Sequence, residues 1–172
     1  EAAETDQWLV RSLLGNHEKM LLNAQTNERA RATWYNNGGD ETEASYLSHG
    51  FATPPPDHLE WIKTLPNVLW FQAEGLVFVH AGVSGTDFPN EGEEIRLWTR
   101  SADFLDTSKW TSPALDGQRV VHGHTPTVHQ MPDISPDGRR INVDTGACFG
   151  GPLTAADLVP GEAPTFLKAY KS

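Results

Sequence analysis

Residues 68–82 read VLWFQAEGLVFVHAG, and this stretch decides the architecture of the chain. Two apolar runs, Val68–Gln72 and Leu76–His80, flank a short loop that contains Gly75. Aromatic and β-branched residues on both sides of such a loop predict a β-hairpin. The second run stops abruptly at Ala81-Gly82, so His80 is expected at the end of a strand.

The flanking sequence predicts further strands and helices on both sides of this hairpin. Short apolar runs bounded by turn residues predict strands, and runs of good helix formers predict helices. The further strands are expected at 8–14, 119–122, 140–143, 153–159 and 165–170, and the helices at 18–32, 40–47, 58–65 and 93–104. Helices dominate the first half and strands the second, which favours an α/β fold of mixed sheets faced by helices.

Composition and charge exclude several classes of protein. The 172 residues suffice for one domain with a buried core, and 38% hydrophobic with 21% charged residues is an ordinary globular mixture. A net charge of −10 argues against binding to nucleic acid or to an anionic membrane, because both need a basic surface. An anionic substrate stays possible, since a bound metal ion can reverse the local field. The single cysteine, Cys148, excludes an internal disulfide and a cysteine-based zinc cluster, and a cytoplasmic protein is expected.

Three histidine-bearing turns follow predicted strands. They are GNHE at 15–18, HAG at 80–82 and HGHTP at 122–126. In open α/β sheets, ligands bind at the loops beyond the carboxyl ends of the strands, so these turns can converge on one site. Neutral imidazole is the commonest nitrogen ligand of transition metals, and an amide oxygen suits Mn²⁺ or Fe. The pattern therefore favours a metal site.

The ordered motifs LGNHE (14–18), VHAG (79–82) and VHGHTP (121–126) resemble the later motifs of the phosphoprotein phosphatases, within the calcineurin-like metallophosphoesterases. The bacterial branch is resembled further by NGGD (37–40), LWTR (97–100) and NVDTG (142–146). The likeness spans nearly the whole chain. It implies two packed β-sheets flanked by helices.

Two motifs of the family are missing from this sequence. The family opens with Gly-Asp-x-His-Gly and Gly-Asp-x-x-Asp-Arg-Gly, both upstream of Gly-Asn-His-Glu, whereas only residues 1–14 precede Gly15 here. By this comparison, residues 1–172 are expected to be the C-terminal portion of a single metallophosphoesterase domain. The chain alone is then expected to be inactive or weakly active.

The resemblance implies a role for each matching residue. Asn16, His80 and His124 would be ligands of one metal ion, His17 the general acid, and Arg100 a phosphate-binding residue. The ion would be Mn²⁺, with Fe or Zn as alternatives. The complete enzyme would hold two ions, and this chain at most one, weakly. His122 remains an alternative ligand to His124, since both face the same side of an extended strand.

The expected activity is metal-dependent hydrolysis of phosphate monoesters by a two-metal-activated water. By resemblance, the enzyme is a serine/threonine protein phosphatase whose partner is a phosphorylated protein or peptide. A symmetrical dinucleoside tetraphosphatase is the first alternative, ranked lower because residues 83–87, VSGTD, lack the Pro and Trp expected there. The second alternative is a non-catalytic fragment or degenerate homologue that binds metal or phosphate.

Overall fold

A computed structural model describes residues 9–159 and 161–171 of the chain. The chain divides into two compact units, Glu1–Pro66 and Asn67–Ser172, which are described separately below. That residues 1–172 form a portion of one domain stays a prediction.

The described part of the first unit is helical. Its helices are α1 (Asn16–Ala24), α2 (Glu28–Trp34), α3 (Asp40–Ser48) and α4 (Pro56–Thr64), and the backbone is kinked between α2 and α3, where Asn37 and Gly38 are not helical. The single helix predicted at 18–32 is wrong, because Asn27 starts a second helix. Its side-chain Oδ1 accepts a hydrogen bond from the Ala30 N–H at 3.0 Å, the usual N-cap interaction.

The strand predicted at 8–14 is also wrong. Residues 9–15 have no regular secondary structure, and Leu9 and Val10 are exposed to 63% and 48%. Trp8 lies outside the described residues. Leu14 is buried, and its N–H donates to the carbonyl of Pro66 at 2.8 Å. An apolar run without a neighbouring strand cannot satisfy its backbone in a ladder, so here it forms an irregular segment.

The second unit contains a five-stranded mixed sheet. Its strands are β1 (Val68–Phe71), β2 (Leu76–Val79), β3 (Arg119–His122), β4 (Asp133–Ile134) and β5 (Arg140–Asn142), in the order β1-β2-β3-β5-β4. The β1–β2 pair is the predicted hairpin, with Val68 opposite Val79. Strands β2, β3 and β5 are parallel to one another. The core that supports them includes Val77, Val120 and Leu115, each fully buried.

Two short helices replace the single helix predicted at 93–104. Helix α5 spans Glu93–Trp98, and α6 spans Ala102–Leu105. Ser101 caps α6, since its side chain accepts a hydrogen bond from the Asp103 N–H at 3.1 Å. The break places residues 99–101 in an extended turn between the two helices.

A second, two-stranded antiparallel sheet is formed by β6 (Leu153–Asp157) and β7 (Thr165–Ala169). Short 3-10 turns occur at Thr107–Lys109, Pro113–Leu115 and Ala147–Phe149. The predicted α/β class, with two sheets and helices, is confirmed. None of the helices in the described ranges is long and apolar enough to cross a membrane.

Candidate metal centre

The carboxyl ends of β2, β3 and β5 meet at one edge of the larger sheet, because the three strands are parallel neighbours. His80 is the residue directly after β2. The pair Gly123-His124 directly follows β3, and Asp144 lies two residues beyond β5. The topology therefore brings the second and third histidine turns together, as the strand-end rule predicts.

His80 and His124 face each other at this edge. The Nε2 of His80 lies 3.1 Å from the Nδ1 of His124, and the ring centroids are 5.0 Å apart. Both side chains are half-buried. A backbone hydrogen bond connects the two turns that carry them, since the Gly123 N–H donates to the His80 carbonyl at 2.9 Å.

This nitrogen pair fits a divalent metal ion. Bonds from a metal to imidazole nitrogen are about 2.0–2.1 Å long, so two such ligands can lie up to about 4.2 Å apart. The observed 3.1 Å is within that reach. Across the parts of the chain that the structure describes, no group of three or more His, Cys, Asp or Glu side chains is arranged to hold an ion. An ion held by this pair would need its further ligands from other donors, such as an amide oxygen or water.

The backbone at His124 adopts a conformation that non-glycine residues rarely use. Its φ is +69°, in the left-handed region. The following residues are held in place, because the Asn142 Nδ2 donates to the Thr125 carbonyl at 2.8 Å and the Thr127 N–H donates to the Asp144 carbonyl at 2.9 Å. Such strain persists where the surroundings over-determine a geometry, which is typical of functional sites.

His122 has a different environment from His124. It is buried, its Nδ1 lies 3.2 Å from the Gly123 carbonyl, and its Nε2 lies 3.2 Å from the Arg140 Nη1. The two contacts fit one neutral tautomer, in which Nδ1–H donates and Nε2 accepts from the guanidinium. Burial, followed by the charge of Arg140, lowers the pKa of His122 from 6.5 to about 4. With both ring nitrogens engaged, His122 acts as a neutral structural residue, and the geometry favours His124 as the ligand.

Arg100 and Trp98 border the histidine pair. The Arg100 Nη2 lies 3.5 Å from the His124 carbonyl, and the side chain is otherwise exposed. The indole of Trp98 meets the His124 ring edge-on at a centroid distance of 6.0 Å and is 38% exposed. Trp98 was not assigned to the site from the sequence, although its position two residues before Arg100 was a signal.

Asn16 and His17 belong to the first unit, where they begin α1. Asn16 is buried, whereas His17 is exposed. The first turn is fixed by Glu18, whose Oε2 accepts a hydrogen bond from the Gly15 N–H at 3.0 Å. Ligation by Asn16 and proton donation by His17 stay predictions.

The arrangement of sheets and helices is the fold of the calcineurin-like metallophosphoesterases. A crystal structure described as "a putative diadenosine tetraphosphatase" shares it with a TM-score of 0.62 and 18% identity, over 95% of this chain and 70% of that chain. In sequence, the chain is similar to the "bis(5'-nucleosyl)-tetraphosphatase PrpE [asymmetrical]" of Halalkalibacterium halodurans, with 30% identity over 94 residues. That match spans 49% of this chain and 37% of the relative. No protein-family model matches the chain.

These similarities correct the expectations on substrate. Both similar proteins are named as tetraphosphatases, which act on small dinucleotides. The expected partner, a phosphorylated protein or peptide, is therefore wrong, and the protein phosphatase branch is not supported. Both names describe phosphate hydrolases. The comparisons favour the dinucleoside tetraphosphatase alternative, although the curated relative is named for asymmetrical cleavage where symmetrical cleavage was expected.

Proposed function

We propose that this chain belongs to a divalent-metal-dependent hydrolase of dinucleoside tetraphosphates, with asymmetrical cleavage to a nucleoside triphosphate and a monophosphate. The observation that carries the proposal is the His80–His124 pair at the strand ends, with Arg100 beside it. The name of the curated relative supports the substrate class and the cleavage pattern. Mn²⁺ is the proposed metal, with Fe and Zn as alternatives.

In this proposal His80 and His124 hold the ion, and Asn16 stays the further ligand that the motif resemblance implies. When bound, such an ion neutralises phosphate charge and lowers the pKa of a water that attacks phosphorus. His80 and His124 must be neutral to ligate, so low pH weakens metal binding. Since the chain carries a net charge of −10, local positive charge is needed before a polyphosphate can bind.

Arg100 supplies part of that positive charge. Its planar guanidinium can donate two parallel hydrogen bonds to phosphate oxygens, which positions the phosphate chain. The residue is exposed and its Nη2 reaches the His124 carbonyl, so the guanidinium lies at the rim of the histidine pair. Arg100→Lys would keep the charge but lose the two-pronged geometry.

His17 is proposed to give a proton to the leaving oxygen. In a tetraphosphate the leaving group is itself a nucleotide phosphate, which leaves more readily than an alkoxide. Loss of the general acid should therefore slow hydrolysis of a tetraphosphate less than hydrolysis of an alkyl phosphate ester. The exposure of His17 at the start of α1 is consistent with contact to a substrate.

Product analysis tests this proposal. Diadenosine tetraphosphate is incubated with Mn²⁺ and either the 172-residue chain or a longer form supplied with the two upstream motifs, and nucleotides are separated by anion exchange. ATP and AMP in equal amounts are expected, at the higher rate from the longer form. ADP alone would contradict asymmetrical cleavage. Turnover of a phosphopeptide without turnover of the dinucleotide would contradict the proposed substrate class.

A further inference from the structure

A pocket of about 450 Å³ lies next to His124 in the chain, and Thr125, the following residue, is part of its lining. All of its lining belongs to the second unit. Five of its eleven lining residues are apolar, namely Leu105, Pro126, Val128, Met131 and Pro132. Pockets of this size and character are typical binding sites for small organic ligands.

The apolar side chains of this pocket are open to solvent. Val128 is 89% exposed, Met131 56% and Leu105 44%. These residues contribute little to the core, so their apolar character is not explained by folding. Grouped exposed apolar residues next to a polar site mark a surface that binds an apolar group.

The segment that carries the pocket is held in a defined shape. The backbone has a left-handed conformation at His124 and at Gln130, where φ is +69° and +53°. Strand β7 contacts it through Lys168, whose Nζ lies 3.5 Å from the Gln130 carbonyl and 2.7 Å from the Met131 Sδ. Binding to a segment that is already ordered costs less conformational entropy than binding to a loose one.

The other six lining residues are polar and include His129, Asp133 and Arg140. The Asp133 carboxylate accepts a hydrogen bond from the Arg140 Nη2 at 2.5 Å, yet its side chain is 55% exposed and has further acceptor sites. The Thr127 hydroxyl is buried and has no hydrogen-bond partner within the described residues. Apolar side chains beside a carboxylate with further acceptor sites suit a nucleobase, which combines a flat apolar face with an exocyclic amino donor.

We propose that this pocket binds the adenine-type base of one nucleoside of the substrate. The inference rests on the proposed function, since a dinucleoside tetraphosphate carries a base next to its phosphates. Thr125 lines the pocket and its Cα is one residue, about 3.8 Å, from that of His124. A phosphate group at His80 and His124 therefore places the attached nucleoside beside the pocket. The Asp133 carboxylate would accept from the exocyclic amine.

Adenosine is the probe for this pocket, because it lacks phosphates and needs no metal. The ¹⁵N-labelled 172-residue chain is titrated with adenosine, and amide chemical shifts are followed by NMR. Concentration-dependent shifts are expected within residues 125–133 and not on the outer face of the β6–β7 sheet. Val128→Asp should weaken the fitted Kd by roughly fivefold or more, a loss of one apolar contact.

Leu153→Asp is the matched control for Val128→Asp. It places the same charge on an apolar side chain that is 68% exposed, on β6 and outside the pocket. The control should bind adenosine as the unaltered chain does. Shifts elsewhere only, no shifts at all, or equal affinity of the Val128→Asp variant would overturn the proposal.

This titration and the product analysis can refute the pocket and the proposed function independently of each other. Adenosine binding reports on the pocket without phosphate chemistry, whereas product analysis reports on the reaction irrespective of how the base is bound. Hydrolysis of the dinucleotide without adenosine binding at 125–133 would refute the pocket alone. Shifts at 125–133 with no hydrolysis by the longer form would refute the proposed function instead.

Discussion

Acid should destabilise the second unit through His122. The pKa of this residue falls from 6.5 in the unfolded chain to about 4 in the folded chain, because burial and Arg140 disfavour its charged form. Between these values the unfolded chain binds the extra proton, so the stabilisation is complete above pH 6.5 and is lost as the pH falls towards 4. A pKa difference of this size corresponds to about 3 kcal/mol in total, of which about 2 kcal/mol is lost by pH 5.

Urea unfolding at pH 7.5 and pH 5.0, followed by near-ultraviolet circular dichroism, measures this loss. A decrease of about 2 kcal/mol lowers the urea midpoint by about 1 M for a typical slope of unfolding. His122→Gln keeps an acceptor for Arg140 but cannot titrate, so most of the pH dependence should disappear in this variant. His129→Gln, which removes an exposed histidine, should keep it. Equal pH dependence in both variants would refute the assignment of His122 as a buried neutral residue.

Two further predictions concern the proposed acid and the core. His17→Asn in the longer form should lower kcat by roughly 10²–10⁴ with an alkyl phosphate ester, the range for a lost general acid, and by less with diadenosine tetraphosphate. Steady-state kinetics on both substrates measures the two losses. Equal losses would show that His17 is not the acid. Leu97→Ala should reduce the free energy of unfolding by about 2–5 kcal/mol, because the fully buried side chain leaves a cavity. The control Ile95→Ala, on the same helix but 38% exposed, should cost much less in the same urea titration, and similar losses would contradict the packing described for α5.

The sequence predicted the strands of the second unit better than it predicted the helices and irregular segments of the chain. The hairpin was predictable because Val68–Phe71 and Leu76–Val79 are apolar runs around a glycine-containing loop. The breaks at Asn27 and Ser101 were missed although Asn and Ser are preferred N-cap residues, and their capping hydrogen bonds show that new helices start there. Strand β4 spans only Asp133–Ile134 and carries no apolar periodicity of its own.

The histidine turns of the second unit were predictable because parallel strands place their carboxyl ends at one sheet edge. His80 and His124 meet there, in agreement with the motif pattern. The choice between His122 and His124 could not be made from strand geometry, since residues two apart face the same side. This choice depends on Arg140, 18 residues after His122, whose guanidinium contacts the ring of His122.

Metal binding by the histidine pair is the central claim, and Mn²⁺ titration followed by electron paramagnetic resonance tests it most directly. The 172-residue chain is compared with the His124→Asn and His129→Asn variants at pH 7.5. Loss of a metal–nitrogen bond should weaken Mn²⁺ binding at least tenfold in the His124→Asn variant, while the His129→Asn variant binds as the unaltered chain does. Equal Mn²⁺ affinity in all three proteins would contradict the assignment of His124 as a metal ligand.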